Sequence, residues 1–140
     1  MTKNKNYEIL VVDDVLSAAN DYARLIETKM GINVAYTSDV DEALKYVQYY
    51  DVKVLVLDQK MPVSGTQLLE RLRPFTSARA IMLTGEADKE DLGYAINLNF
   101  HAYVDKSKVI QLPDVVFSQY TKYLKDFKER IKHSKKDYVN

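Results

Sequence analysis

The groups in this chain with the greatest chemical reach are carboxylates placed beside short apolar runs. Asp13 and Asp14 follow the run EILVV at 8–12, and Asp58 follows VKVLVL at 52–57. Thr84 comes directly after RAIML at 79–83, and the pair Asp105–Lys106 directly after FHAYV at 100–104. If these points meet, three carboxylates, a hydroxyl and an ammonium share one site. Asp13, Asp14 and Asp58 held close together repel one another unless a cation neutralises them. A small set of hard oxygen ligands suits Mg²⁺, which keeps several waters and favours a phosphate as a further partner. With a phosphoryl group on Asp58, the metal would neutralise one of its oxygens, Lys106 could pair with a second, and the Thr84 hydroxyl could donate to a third. Phosphoryl transfer depends on that kind of positioning and charge stabilisation. The plainer reading of the same residues is a set of solvated loop carboxylates.

The apolar runs decide between these readings, because they are the elements that must position the groups. Strands are predicted at 8–12, 33–37, 52–57, 79–83 and 100–104. Between them lie stretches with helical spacing. Ala19, Tyr22, Ala23, Ile26 and Met30 make one face over 17–30, and Gly31 stands where a helix-ending glycine belongs. Asp39 is placed as an N-cap with Glu42 three residues on, in the manner of a capping box, ahead of the apolar face Val40, Ala43, Leu44 and Val47. A helix over 65–73 is closed off by Pro74, a less regular one over 88–98 is weakened by Gly93, and a long one runs over about 112–132. Five strand–helix units in succession imply a parallel sheet covered on both faces with right-handed crossovers. With 140 residues the chain suits a small doubly wound sheet rather than an eight-unit barrel, which needs about 250. In such a sheet, ligands bind outside the carboxyl ends of the strands, where all the groups named above are placed.

Composition narrows the function classes. Hydrophobic residues make up 46%, enough for one packed core. Lysine plus arginine and aspartate plus glutamate each total 20, so no global field draws the surface toward nucleic acid or anionic lipid. Cysteine is absent, which excludes disulfides and thiolate metal sites. The first apolar run is too short for a signal peptide or a membrane span, so a soluble cytoplasmic protein is expected.

The pattern DD after the first strand, D-x-K-M-P after the third, T-G after the fourth and Y-V-D-K at the fifth resembles the receiver domain of bacterial response regulators, over roughly residues 7–126. The resemblance implies a flavodoxin-like α/β fold with strand order 2-1-3-4-5. It implies a phosphorylation switch, not an enzyme with a separate substrate. Asp58 would be the phosphoacceptor, and Asp13 and Asp14 the acidic pair that holds Mg²⁺ together with Asp58 and the Lys60 main-chain carbonyl. Thr84 and Lys106 match the family's phosphoryl-sensing hydroxyl and lysine, and Tyr103 the aromatic that turns inward when the hydroxyl moves. The side chains of Lys60 and Glu86 would flank the site and modulate hydrolysis, either as a pair across the cleft or as two independent surface charges. The partners implied are a sensor histidine kinase or phosphotransfer protein, and a downstream protein read by the face of the fourth helix, fifth strand and last helix, with the fourth helix as the mobile element.

Two departures from the family pattern stand out. Ser107 follows Lys106 where the family usually has a proline joined by a cis bond. A cis bond to a non-proline costs about 2.5–4 kcal/mol, so a trans bond is expected, with consequences for the reach of Lys106. The loop from Asp58 to Gly65 is one residue shorter than the common pattern, which tightens the turn Pro62–Val63–Ser64.

A receiver over 1–126 leaves 127–140 as a C-terminal helical extension. Phe117, Tyr120, Leu124, Phe127 and Ile131 are spaced alternately three and four apart. The first three are expected to pack the last helix on the sheet. Phe127 and Ile131 are left for self-association or for continuation toward an output domain. The basic stretch 128–136 reads as a solvated face, and no DNA-binding module fits in this chain. His101 and His133 are isolated, without zinc-like spacing.

Two rival functions have distinct signatures. A receiver-fold binding module independent of phosphorylation would be supported by Ser107 and the short loop, yet every acidic residue and Lys106 are present. A flavin carrier or a dehalogenase-like phosphatase would need a hydroxyl- and glycine-rich loop, or an acid two residues after the nucleophile, following the first strand. Asp13–Asp14–Val15 supplies neither.

Overall fold

The computed structural model describes residues 6–85 and 100–139. The predicted helix over 88–98, with Gly93, and the modulator Glu86 lie outside the described residues. Five strands, β1 (Ile9–Val12), β2 (Val34–Thr37), β3 (Val54–Asp58), β4 (Arg79–Thr84) and β5 (Ala102–Asp105), form one sheet in the order β2-β1-β3-β4-β5, every pair parallel. This is the expected doubly wound fold.

Alternation along the strands sorts the core into two layers. Leu10, Val12, Leu55, Leu57, Ala80 and Met82 pack against α2 (Val40–Tyr49) and α3 (Gly65–Leu72) through Ala43, Val47, Leu68, Leu69 and Leu72. Ile9, Val11, Val54, Val56, Ile81 and Leu83 pack against α1 (Leu16–Met30) and α4 (Leu112–Val139) through Ala19, Ala23, Ile26, Leu112 and Val116. Each fully buried Leu, Ile or Val contributes about 1.5–3 kcal/mol, so the sheet is clamped from both faces.

Local signals set the element ends. Gly31 takes the left-handed conformation (φ 69°) and its N–H donates to the Glu27 carbonyl, closing α1 as expected. Asp39 caps α2 by accepting from the N–H groups of Asp41 and Glu42. Its own N–H donates to Thr37 Oγ1, so the reciprocal bond of a capping box is not what closes this end. The full capping box belongs instead to α3, where Ser64 Oγ accepts from the Gln67 N–H and Gln67 Oε1 accepts from the Ser64 N–H.

Three expectations shift. Strands β3 and β4 run one residue further than predicted, so Asp58 and Thr84 are their last residues rather than the first beyond them. Strand β5 starts two residues late. His101 Nδ1 accepts from the Ala80 N–H at 2.9 Å while the His101 N–H donates to the Ala80 carbonyl at 2.8 Å, so an imidazole takes a ladder position ahead of the strand. On α4 the packed face is Leu112, Val116, Gln119 and Tyr123, all buried, whereas Phe117 is 58% exposed. Of the residues expected to pack, Tyr120 does, against the α1-side layer with its hydroxyl donating to Glu8 Oε2 at 3.0 Å, while Phe117 does not. Gln119 can be buried because its Oε1 accepts from Arg79 Nε at 2.6 Å, a partner 40 residues away in sequence. Before α4, 3₁₀ turns occupy Lys106–Gln111, capped by Asp105 Oδ1 accepting from the Ser107 N–H. No described helix is long and apolar enough to cross a membrane.

Candidate functional site

The carboxyl ends of β1, β3, β4 and β5 bring the expected groups to one edge of the sheet. Asp13, one residue past β1, and Asp58, the last residue of β3, are buried, and Asp14 beside them is exposed. One carboxylate oxygen from each of the three lies within 4.8 Å of the others. Lys106, the first residue past β5, places its Nζ 2.8 Å from Asp58 Oδ1. That same oxygen accepts from the Lys60 N–H at 3.2 Å. Asp13 Oδ1 accepts from the Val15 N–H at 2.9 Å, and the Asp13 N–H donates to the Thr37 carbonyl. Both buried carboxylates are therefore fixed in orientation by backbone groups of their own loops.

The electrostatics follow from burial and crowding. Burial pushes the Asp13 carboxyl up to about 6, and the Asp58 charge adds to the rise, while the Val15 N–H and Lys106 pull against it. For Lys106 burial alone would lower the ammonium, but the hydrogen bond and charge of Asp58 outweigh it, and the net shift is upward. Lys106 therefore stays charged. Against one cation stand three acidic residues. A hard divalent cation fits this donor set, because only oxygen ligands are offered and the net charge is negative.

The acceptor loop is tightly built. The Gly65 N–H and the Met61 N–H both donate to the Gln59 carbonyl, and Gln59 Oε1 accepts from the Thr66 N–H. A Cβ on Gly65 would stand 2.9 Å from the Asp58 carbonyl oxygen and 3.1 Å from Gln59 Oε1. Glycine is thus required by the close approach of α3 to the end of β3. The short loop expected from the sequence is held by these bonds.

Thr84 is buried at the end of β4, with its hydroxyl 3.5 Å from the Val104 carbonyl. Tyr103 sits on the α2–α3 side of β5, its ring 6.3 Å from that of Phe100. Its hydroxyl is buried and has no hydrogen-bond partner among the described residues, and burial pushes the phenol upward. An orphaned buried hydroxyl is costly, by about 1–3 kcal/mol. No peptide bond among the described residues is cis, so Lys106–Ser107 is trans. With that trans bond Lys106 Nζ lies 2.8 Å from Asp58 Oδ1. The N–H anchors from Val15 and Lys60 and the Gln59 clasp were missed in the sequence, since main-chain bonds of irregular loops leave no pattern in residue type.

The sequence matches the response regulator receiver domain family over residues 9–117. The chain belongs to that family. Solved receivers share its fold. A CheY-like response regulator receiver domain protein from Methanospirillum hungatei JF-1 is 26% identical, with a TM-score of 0.73 over 86% of this chain and 98% of the other. The REC domain of AraT, a response regulator from Geobacillus stearothermophilus, is 25% identical, with a TM-score of 0.73 over 86% and 97%. The receiver domain of Francisella response regulator 1452 is 27% identical, with a TM-score of 0.68 over 84% and 98%. No curated protein matches the chain. As a receiver, this chain is a two-component signalling module, and its acidic pocket is the place where receivers typically bind Mg²⁺.

Proposed function

We propose that this receiver is a phosphorylation-dependent switch that accepts a phosphoryl group on Asp58 from a histidine kinase or phosphotransfer protein. The observation that carries the reading is the arrangement around Asp58. Its carboxylate is buried and held by the Lys60 N–H, lies 2.8 Å from Lys106, and shares a mouth with Asp13 and Asp14. Asp13, Asp14, Asp58 and the Lys60 main-chain carbonyl would hold Mg²⁺, which supplies charge neutralisation for the incoming phosphoryl oxygens.

The chain's own residues do the rest. The Lys60 N–H and Lys106 orient the Asp58 carboxylate, leaving its second oxygen as the nucleophile. As the donor's P–N or P–O bond breaks, that oxygen forms the new bond to phosphorus, and the electron pair leaves with the donor. Lys106 then exchanges its partner from the carboxylate to a phosphoryl oxygen, and the Thr84 hydroxyl gives up its long contact with Val104 to donate to another. The orphaned Tyr103 hydroxyl is the read-out, because a buried hydroxyl without a partner costs about 1–3 kcal/mol, so a small movement of Thr84 can bias where the ring sits.

Downstream, the face built on β5 and α4 carries the signal to a protein partner in the cytoplasm. Residues 127–140 are read as an extension beyond the receiver. Phe127 and Ile131, 46% and 41% exposed on successive turns of α4, support self-association through it. Incubation of the full chain with acetyl phosphate and Mg²⁺, followed by intact mass, tests the central reading. The wild type gains one phosphoryl group and Asp58→Asn gains none. An unchanged wild-type mass, under conditions that label a control receiver, would favour the phosphorylation-independent binding module instead.

A further inference from the structure

The outer edge of β2 has the makings of a second binding surface, remote from the phosphoacceptor in chemistry. Strand β2 ends the sheet and pairs with β1 alone. The Thr37 carbonyl accepts from Asp13, so Thr37 and, two residues back, Ala35 turn their main-chain groups toward β1. Val34 and Tyr36 therefore turn theirs outward. The Val34 N–H is taken by Glu27 Oε1 at 2.9 Å. The Val34 carbonyl and both main-chain groups of Tyr36 have no partner among the described residues, so three ladder positions stand open.

These open positions face a groove of about 530 Å³ that follows the whole strand, from Tyr7 and Val34 to Ser38 and Asp39. Its walls lie on both faces of the sheet. Tyr36 and Leu16, 37% and 54% exposed, stand on the α1 side, with Tyr46 on the α2 side. Tyr46 is fixed by edge-on contact with Tyr7 at 5.9 Å, so it is a pre-formed wall. At one end Asp39 and Glu42 line the groove, and no lysine or arginine lines it among the described residues.

We propose that the β2 edge binds an extended peptide segment of a partner protein, added to the sheet as a sixth strand, with alternating apolar residues and a lysine or arginine at the Asp39–Glu42 end. The main-chain groups of Val34 and Tyr36 supply affinity, the two aromatic walls take side chains of opposite parity, and the carboxylates select the cation. The strand is mechanically joined to the acidic site, since Thr37 both accepts from Asp13 and caps Asp39.

The test is selection of a displayed random heptapeptide library on the immobilised full chain, followed by titration of one selected synthetic peptide into labelled protein by NMR. The selected peptides carry a basic residue and alternating apolar positions, and shifts concentrate on 34–39 and the start of α2. Glu42→Lys weakens binding by about tenfold or more while phosphoryl acceptance stays intact. Tyr36→Pro removes an outward N–H that the sheet does not use and abolishes binding. No enrichment, acidic selected peptides, or binding indifferent to both variants would overturn the proposal. So would a dimer in sedimentation that Tyr36→Pro dissolves, since the edge would then be occupied by a second copy of this chain.

Discussion

Burial and the neighbouring Asp58 both disfavour the charged form of Asp13, so a folded chain that keeps Asp13 ionised does so at a cost in stability. Asn at this position retains an oxygen for the Val15 N–H and removes the charge. Asp13→Asn should therefore raise the stability of the metal-free protein by about 1–2 kcal/mol. It should also erase most of the stabilisation that Mg²⁺ gives the wild type, because a ligand stabilises only the fold that binds it. Thermal unfolding with and without Mg²⁺ measures both effects, and a wild type indifferent to Mg²⁺ would contradict the metal assignment. Lys106→Met leaves Asp58 buried beside two acids with no cation, and should slow phosphoryl acceptance by about 10²–10³-fold. Rates with acetyl phosphate check it. Asp13, Asp14, Asp58 and Lys106 could be found in the sequence because strand ends impose their meeting. The orphaned hydroxyl of Tyr103 could not, since it depends on which rotamer the packing selects.

Among elements, the entry to α3 and the entry to β5 carry separable consequences. Gly65→Ala drives a Cβ into the Asp58 carbonyl and should cost about 1–3 kcal/mol in chemical denaturation. His101 sits at the edge of the sheet with its Nδ1 occupied as an acceptor. Burial first, then Arg79 and Arg73, push its pKa down to about 4, against 6.5 for the free side chain. The unfolded chain thus binds a proton more readily than the folded one between those values. The stability this histidine contributes is complete above pH 6.5 and is lost as pH falls toward 4. His101 is exposed to solvent, which screens much of the effect, so the change in stability is small. Denaturation midpoints at pH 7 and pH 5 should converge in His101→Asn, whose Oδ1 can accept from Ala80 without titrating; an unchanged pH slope would count against it. The five strands were readable as apolar runs and Gly31 as a helix end, because those signals are local. The packed face of α4 is only partly legible, through Tyr120, because it also includes Gln119, a polar residue buried against Arg79 of β4.

For the whole molecule, the parallel sheet explains why the acceptor, its lysine and its acidic neighbours come from segments up to 93 positions apart yet share one mouth: every strand runs the same way, and every loop that follows a strand opens on the same edge. At the other end of the chain, α4 continues to Val139, and at about 1.5 Å per residue its 28 residues span about 42 Å, longer than any strand it covers. Sedimentation of the full chain beside one cut after Asp126 should show self-association in the first and a monomer in the second; identical monomers would remove Phe127 and Ile131 from any such role. The central claim, that the mouth of the sheet makes one carboxylate a phosphoryl acceptor, is tested most directly by trapping the product. After treatment with acetyl phosphate and Mg²⁺, borohydride reduces an aspartyl phosphate to homoserine, and peptide mass mapping then locates it. Homoserine at 58 alone is the predicted result; homoserine at 13 or 14, or none in a chain treated beside a labelled control receiver, would contradict it.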